Sequence, residues 1–340
     1  MSAQTYYLLL DKYIKKEEIH KIAIGCDFKK EEGPYNHYGR EDLYSWEGPK
    51  YESIRGCYFS FGYDVDLSDH AIETDIYKTL CATSTRLGCS YADRNKQIEI
   101  IKTIQDLYGG KVYDPNFNTW ELRENEIPQL SKTEIACGMV YVNFKVELYN
   151  ARYSIEKVDT RQIFLDVSLD RYELPPSLHN NNRLLTQFVS IFETFLKDFF
   201  VKYLETNDKA YENFTGFPKK ELSNERKIEN YVKKSCSFQN LNPNYEKSAI
   251  NVYKKFLTFD LKKEVLDINY KNETITILLL LKEILDIRHK IVHETKYNKH
   301  LTKEKMMEYS KLIEKFGEVF IHKFQEKHNL KLLIESEIGY

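Results

Sequence analysis

NETITILLLLKEILDIRHKIVHETKY, residues 272–297, is the stretch that decides the fold of the second half of this chain. Asn272 or Thr274 can cap a helix here, because a side-chain oxygen at this position accepts a hydrogen bond from a free backbone N–H. Apolar residues then recur on most sides of the helix, at Ile275, Leu278, Leu279, Leu281, Ile284, Leu285 and Ile291. The pattern predicts the central helix of a helical bundle.

The apolar pattern of this helix stops at Arg288-His289-Lys290 and stops again at His293. On a straight α-helix, Arg288 and His293 lie about 7.5 Å apart along the axis and roughly 140° apart around it. The two residues therefore do not line one stripe of the helix. A second copy of the helix, related by a two-fold axis, would bring both residue types to one composite cleft, so the spacing predicts a homodimer through the helical half.

A purely structural interpretation of these two residues stays open. Arg288 would pair with Asp286 or Glu294. His293 would lie at a helix C-terminus, where the aligned peptide dipoles favour positive charge.

The run Arg288-His289-Lys290-Ile291-Val292-His293 resembles the signature of the HEPN superfamily, which is Arg, four residues, His, with a polar residue directly after the Arg. HEPN domains are small α-helical domains found in many prokaryotic ribonuclease toxins and RNA-processing enzymes. The resemblance covers roughly residues 182–330, and it implies an all-α HEPN-like bundle there. It does not extend to the first half of the chain.

This resemblance implies a metal-independent endoribonuclease of the toxin or antiviral-defence type, with RNA as substrate and Arg288, His293 and His289 as catalytic residues. Histidine, whose ordinary pKa is about 6.5, exchanges protons near neutral pH. Arginine stays cationic and stabilises charge that develops on a phosphate. Because the ribose 2′-OH of RNA is itself the nucleophile, the chemistry requires neither a metal ion nor another cofactor.

Two alternative functions remain. The superfamily also contains noncatalytic scaffolds, so the helical half would then be an RNA-binding module. The other alternative is a nucleotidyltransferase in the first half of the chain, where paired carboxylates can hold Mg²⁺. The candidates are Asp64 and Asp66, which lie two positions apart in a predicted strand and follow Gly56-Cys57. The favoured interpretation of these two carboxylates is a solvated strand end or a turn that runs into Ser68-Asp69-His70.

RNA binding would require a local basic surface, since the formal net charge of the chain is only −2. The densest basic zone includes Lys233-Lys234 and Lys254-Lys255. Together with Lys290 these residues are the predicted RNA-binding set. The alternative is that they form an ordinary solvated face.

Residues 90–110 predict a helix in the first half of the chain, with Ser90 as its cap and Gly109-Gly110 as its end. Strands are predicted at 57–67 and 139–149, where apolar and polar residues alternate, and near 161–167. The first half therefore reads as a mixed α/β domain with a mainly antiparallel sheet.

The domain boundary is predicted at Pro175-Pro176, which is followed by His-Asn-Asn-Asn at 179–182, a composition typical of loops. It divides an α+β protein into residues 1–176 and a HEPN-like domain, residues 177–340. By analogy with multidomain HEPN proteins, the first domain would sense a trigger or select the RNA, and an antitoxin or trigger molecule would be a further partner.

The composition is that of a globular protein, with 42% hydrophobic and 30% charged residues among 340. Six cysteines stand apart without a C-x-x-C pair, so we expect reduced thiols and no zinc site. The apolar run at 275–281 is too short to cross a bilayer. No membrane association is therefore expected, and the cytoplasm is the expected location.

Overall fold

The computed structural model describes residues 4–32, 40–65, 77–86, 88–156, 175–216, 225–271 and 274–334. Contacts divide the chain into two compact units, the first ending at Lys132 and the second spanning Thr133–Ile334. Each unit has its own hydrophobic core. The α+β class predicted from the sequence is confirmed: among the described residues, the strands lie in the first unit and the second is helical.

The first unit is built on an antiparallel sheet. Within the described residues its six strands lie in the order β2-β3-β4-β5-β1-β6. In chain order the elements are β1 (Gln4–Leu10), α1 (Lys16–Gly25), β2 (Lys29–Lys30), β3 (Arg40–Trp46), β4 (Cys57–Val65), β5 (Tyr77–Thr85), α2 (Tyr91–Tyr108) and β6 (Lys111–Tyr113). Both helices pack with the sheet around one core, as expected for a sheet that buries one apolar face.

Helix α2 matches the helix predicted at 90–110. Ser90 and Asp93 form a capping box, in which each side chain accepts a hydrogen bond from the backbone N–H of the other residue. The buried Asp93 carboxylate also accepts from the backbone N–H groups of Ile54, Arg55 and Gly56, at 3.0–3.1 Å. One side chain therefore caps the helix and fixes the turn that leads into β4.

The strand predicted at 139–149 is wrong, because these residues lie inside helix α3 (Lys132–Tyr153). Alternation of apolar residues suggested a strand, but the buried side chains recur at helical spacing. They are Cys137, Tyr141, Phe144, Leu148 and Ala151, which follow one another by four or three residues. Burial of this stripe overrides the strand preference of the valines. The strand predicted at 161–167 lies outside the described residues.

The division between the two units lies after Lys132 and not at the predicted residue 176, because α3 packs into the core of the second unit. A Cβ added to Gly317 would lie 2.5 Å from Cε1 of Phe144, so a glycine is needed for this close approach.

Helices make up the second unit. They are α3, α4 (Pro176–Thr206), α5 (Asp208–Thr215), α6 (Glu225–Ser235), α7 (Ala249–Phe256), a π-helical turn (Lys262–Leu266), α8 (Ile277–Glu294) and α9 (Lys303–His328). The aromatic residues of α4 face those of α9. Phe199 packs edge to face with Phe320 and with Phe324, at 4.8 Å between ring centroids in both pairs. This aromatic interface is the centre of the core.

The run at 179–182 is not the predicted loop. Helix α4 begins at Pro176, because proline is well accommodated in the first turn of a helix, and the three asparagines lie within that helix.

Helix α8 is not the predicted central helix. Only Ile277, Leu278, Leu281 and Ile284 are buried, whereas the side chains of Leu279 and Val292 are 56% and 48% exposed. Its N-cap is Thr276, whose hydroxyl accepts from the N–H of Leu279; of the two expected caps, Thr274 is not used and Asn272 lies outside the described residues. The helix packs on α4 and α9 with one face and leaves the other open to solvent.

All six cysteines are free thiols, five of them buried and Cys236 half-buried. None of the helices among the described residues combines the length and the apolar character that a bilayer crossing requires.

Candidate functional site

The last turns of α8 carry the Arg-x4-His motif. His289 and His293 are both exposed, and their ring centroids lie 4.7 Å apart at an interplanar angle of 43°. They are four residues apart, so they share one face of the helix. Arg288 is half-buried, and its Nε is buried with no hydrogen-bond partner among the residues that the structure describes. The last turns of α8 thus carry an exposed imidazole pair and a partly buried arginine.

Glu193 of α4 is an acidic group within electrostatic reach of Arg288. Burial raises the pKa of the Glu193 carboxyl, and the positive charge of Arg288 acts in the opposite direction. Glu294, one of the two partners considered for Arg288, is instead bonded by Lys296 at 2.8 Å, which lowers the pKa of Glu294. The guanidinium of Arg288 therefore interacts electrostatically with α4.

The chain that leaves the motif is tied to α4 by two fully buried asparagines. Asn182 donates from Nδ2 to the carbonyl of Asn298 at 3.0 Å and accepts from the N–H of Asn298 at 2.8 Å. Asn181 donates to the carbonyls of Leu301 at 2.9 Å and of Glu156 at 3.0 Å. Because both amides lie at 0% exposure, their bonds hold the segment 295–301, here called the post-motif loop, in one conformation.

Replacing Asn182 with Ala should destabilise the protein by about 2–4 kcal/mol and lower its melting temperature by roughly 5–15 °C. The change removes the hydrogen bonds that the Asn182 amide makes with the backbone N–H and C=O of Asn298. It also removes the bond that Asn182 Nδ2 donates to the carbonyl of Leu178 at 2.8 Å. Thermal unfolding of the purified variant measures the effect.

The neighbouring asparagine offers a matched control. Asn180 makes one described hydrogen bond, to the carbonyl of Ser154 at 3.0 Å, and is only partly buried. Asn180→Ala should therefore cost less than about 1 kcal/mol. Equal melting temperatures for the variants at 180 and 182 would contradict the role given to Asn182.

The basic residues predicted to bind RNA are spread over three helices. Lys233 and Lys234 end α6, and Lys290 is exposed within the motif. Lys254 and Lys255 end α7, where Lys254 bonds Asp260 at 2.7 Å and lowers the pKa of that carboxyl. Lys254 is thus already paired with a carboxylate, although surface pairs of this kind exchange readily with solvent and other anions.

The carboxylates of the alternative metal site are only partly described. Asp64 is exposed, has a positive φ of 49°, and accepts a hydrogen bond from the Tyr13 hydroxyl at 2.6 Å. Asp66 lies outside the described residues. Among those that are described, no group of three or more His, Cys, Asp or Glu side chains could hold a metal ion.

Sequence patterns missed Glu193 and the two buried asparagines, which lie on α4, about a hundred residues before the motif. The asparagine run was visible, but its composition suggested a loop. Only the position of Pro176 at the start of a helix could have indicated otherwise.

The second unit is α-helical and carries an Arg-x4-His motif at an exposed helix end. These two features together define a class of small helical domains. Residues 170–326 match the family model described as RiboL-PSP-HEPN. The match supports the assignment of this part of the chain to a HEPN-domain family, which suggests an RNase-type or RNA-binding scaffold domain. Comparison with curated proteins and with solved structures found no match.

Proposed function

We propose that this protein is a metal-independent endoribonuclease of the toxin or antiviral-defence type, acting at Arg288, His289 and His293. One observation carries the proposal. Within the HEPN-matched region, the last turns of α8 carry an exposed pair of imidazoles and an Arg288 whose buried Nε has no hydrogen-bond partner among the described residues. A guanidinium that keeps an N–H without a partner, together with proton-transfer groups, is suited to a phosphodiester.

The proposed reaction is an internal transesterification. His293 takes the proton from the ribose 2′-OH, the 2′-oxygen attacks the phosphorus, and the bond from phosphorus to the 5′-oxygen breaks. A second imidazole, from His289 or from the His293 of a second copy, gives a proton to the departing oxygen. Arg288 stabilises the added negative charge on the phosphate by paired N–H···O bonds.

A homodimer through α8 is part of this proposal. Arg288 is half-buried and within electrostatic reach of Glu193 on α4, while the histidines are exposed, in keeping with the roughly 140° expected for a five-residue separation. The open side of the same helix carries the exposed apolar side chain of Leu279. A two-fold copy packed on this side would bury Leu279 and face the histidines of one motif with those of the other.

The purified protein should cleave RNA in the presence of EDTA and leave 2′,3′-cyclic phosphate and 5′-hydroxyl ends. The cyclic end follows from the internal nucleophile, and the 5′-hydroxyl from protonation of the leaving oxygen. Mass spectrometry of the fragments identifies both ends.

Asp64→Ala serves as the control for the alternative chemistry and should leave cleavage unchanged. Activity that EDTA and Asp64→Ala both abolish would move the chemistry to the first unit. RNA binding without cleavage would favour the noncatalytic scaffold instead.

A further inference from the structure

An exposed pair of rings lies at the exit of the motif helix. Tyr297 is 37% exposed, and its ring centroid lies 5.1 Å from that of His179, which is exposed on the first turns of α4. The Tyr297 hydroxyl and His179 Nε2 are 3.2 Å apart, within hydrogen-bond distance. Two flat rings from distant parts of the chain thus form one surface feature, here called the ring pair.

The ring pair is held in place before any ligand arrives. Tyr297 directly precedes Asn298, whose backbone N–H and C=O are both bonded by the buried Asn182. His179 lies one helical turn before that asparagine on the same helix. An exposed aromatic ring on an anchored backbone loses little conformational freedom when it binds a ligand.

Charge around the ring pair favours a polyanion. The post-motif loop reads TKYNKHL, with Lys296, Lys299 and His300 around its tyrosine and no acidic residue. Lys296 bonds Glu294 at 2.8 Å, and both side chains are exposed, so this pair contributes little net attraction to either sign of charge. Basic residues interleaved with a fixed aromatic ring are typical of surfaces that bind single-stranded nucleic acid.

The ring pair is also close to the candidate catalytic groups. Tyr297 lies four positions after His293, a span of at most about 14 Å even for a fully extended chain. A phosphodiester held at His293 would therefore have its flanking nucleotides within reach of the ring pair.

We propose that Tyr297 and His179 form a stacking site for an unpaired nucleobase of single-stranded RNA that flanks the cleaved bond. This inference rests on the proposed function and adds the form of the substrate. Every base presents a flat face that stacks on an aromatic ring, whereas a base inside a duplex has both faces covered. The protein accordingly selects unpaired RNA without reading a fixed sequence.

Binding of a fluorescein-labelled single-stranded RNA, measured by anisotropy in a His293→Ala background that does not cleave, tests the site. Tyr297→Leu should weaken binding about tenfold, the scale of one stacked base, and Tyr297→Phe, which keeps the ring, should bind within about twofold of the parent. Tyr153→Leu, at a tyrosine that is 73% exposed on α3, is the matched control and should have no effect. An oligonucleotide with abasic positions should bind the parent as weakly as RNA binds Tyr297→Leu.

The possible failures are distinct. Equal affinity of the parent and Tyr297→Leu, or equal binding of intact and abasic strands, overturns the stacking site and leaves the proposed ribonuclease untouched. Tighter binding of duplex than of single-stranded RNA also overturns it. No binding of any RNA by the parent, together with no cleavage by the wild-type protein, removes both proposals.

Discussion

His293→Ala should lower the rate of RNA cleavage by about a hundredfold or more, the usual scale for the loss of one acid/base group. Arg288→Ala should have an effect of similar size, because the charge on the phosphate would then lack its cationic partner. Cleavage of a labelled oligonucleotide under single-turnover conditions measures both. His322→Ala is the matched control, since this histidine is exposed on α9, outside the motif, and should leave the rate unchanged.

The stability of these variants separates a chemical from a structural role. His293 is exposed, so its replacement should leave the melting temperature nearly unchanged. Arg288→Lys keeps the positive charge but loses the planar fork that bonds two phosphate oxygens, and it should recover only a small part of the lost activity. A melting temperature that falls in step with the rate would indicate that the motif only supports the helix end, whereas full activity of Arg288→Lys would show that the positive charge suffices without the planar fork.

Replacement of His289 distinguishes its contribution from that of His293. Asparagine at this position still donates and accepts hydrogen bonds but transfers no proton. If His289→Asn retains most of the activity, the second imidazole of the reaction comes from another copy of the chain. A loss as large as that of His293→Ala would make His289 the general acid.

The toxin assignment has its own readout in cells. Expression of the wild-type protein should stop growth, and expression of His293→Ala at the same level should not. Equal growth with both forms would contradict the toxin interpretation. The enzyme assignment would then depend on the assays with purified protein.

Local signals in the sequence predicted those elements whose stabilising contacts are also local. Ser90 and Asp93 are three residues apart, and their capping box forms as the pattern requires. The phenylalanines of α4 recur at helical spacing, and they pack in the core. By contrast, residues 139–149 satisfy both a strand pattern and a helix pattern. Only the packing of Phe144 against Gly317, far away in the chain, decides between them.

The same distinction applies to the candidate site. Arg288 and His293 were visible because the motif is contiguous, and their divergence follows from helix geometry alone. Glu193, Asn181 and Asn182 could not be found in this way. Their significance comes from contacts with residues about a hundred positions later, which no local pattern encodes.

A heterodimer of Arg288→Ala with His293→Ala should regain activity, at least about tenfold above either variant alone, if two copies of α8 build one cleft and His289 supplies the second imidazole. In the Arg288→Ala homodimer the cleft has both His293 side chains and no Arg288, and in the His293→Ala homodimer it has the reverse. The heterodimer supplies one of each group, although neither protomer carries both. Co-expression with two different affinity tags, followed by purification on both, isolates it.

The rate of the heterodimer also shows whether the Arg288 and His293 that act together come from one chain or from two. If Arg288 and His293 of the same chain acted together, no chain in the heterodimer would have a complete set, and activity would stay at the level of the separate variants. Light scattering on the purified wild-type protein supplies the second criterion, because a strictly monomeric protein that cleaves RNA has no composite cleft. Should the heterodimer be active, a Leu279→Arg change on both chains should remove that activity by placing like charges on the face where the two helices meet.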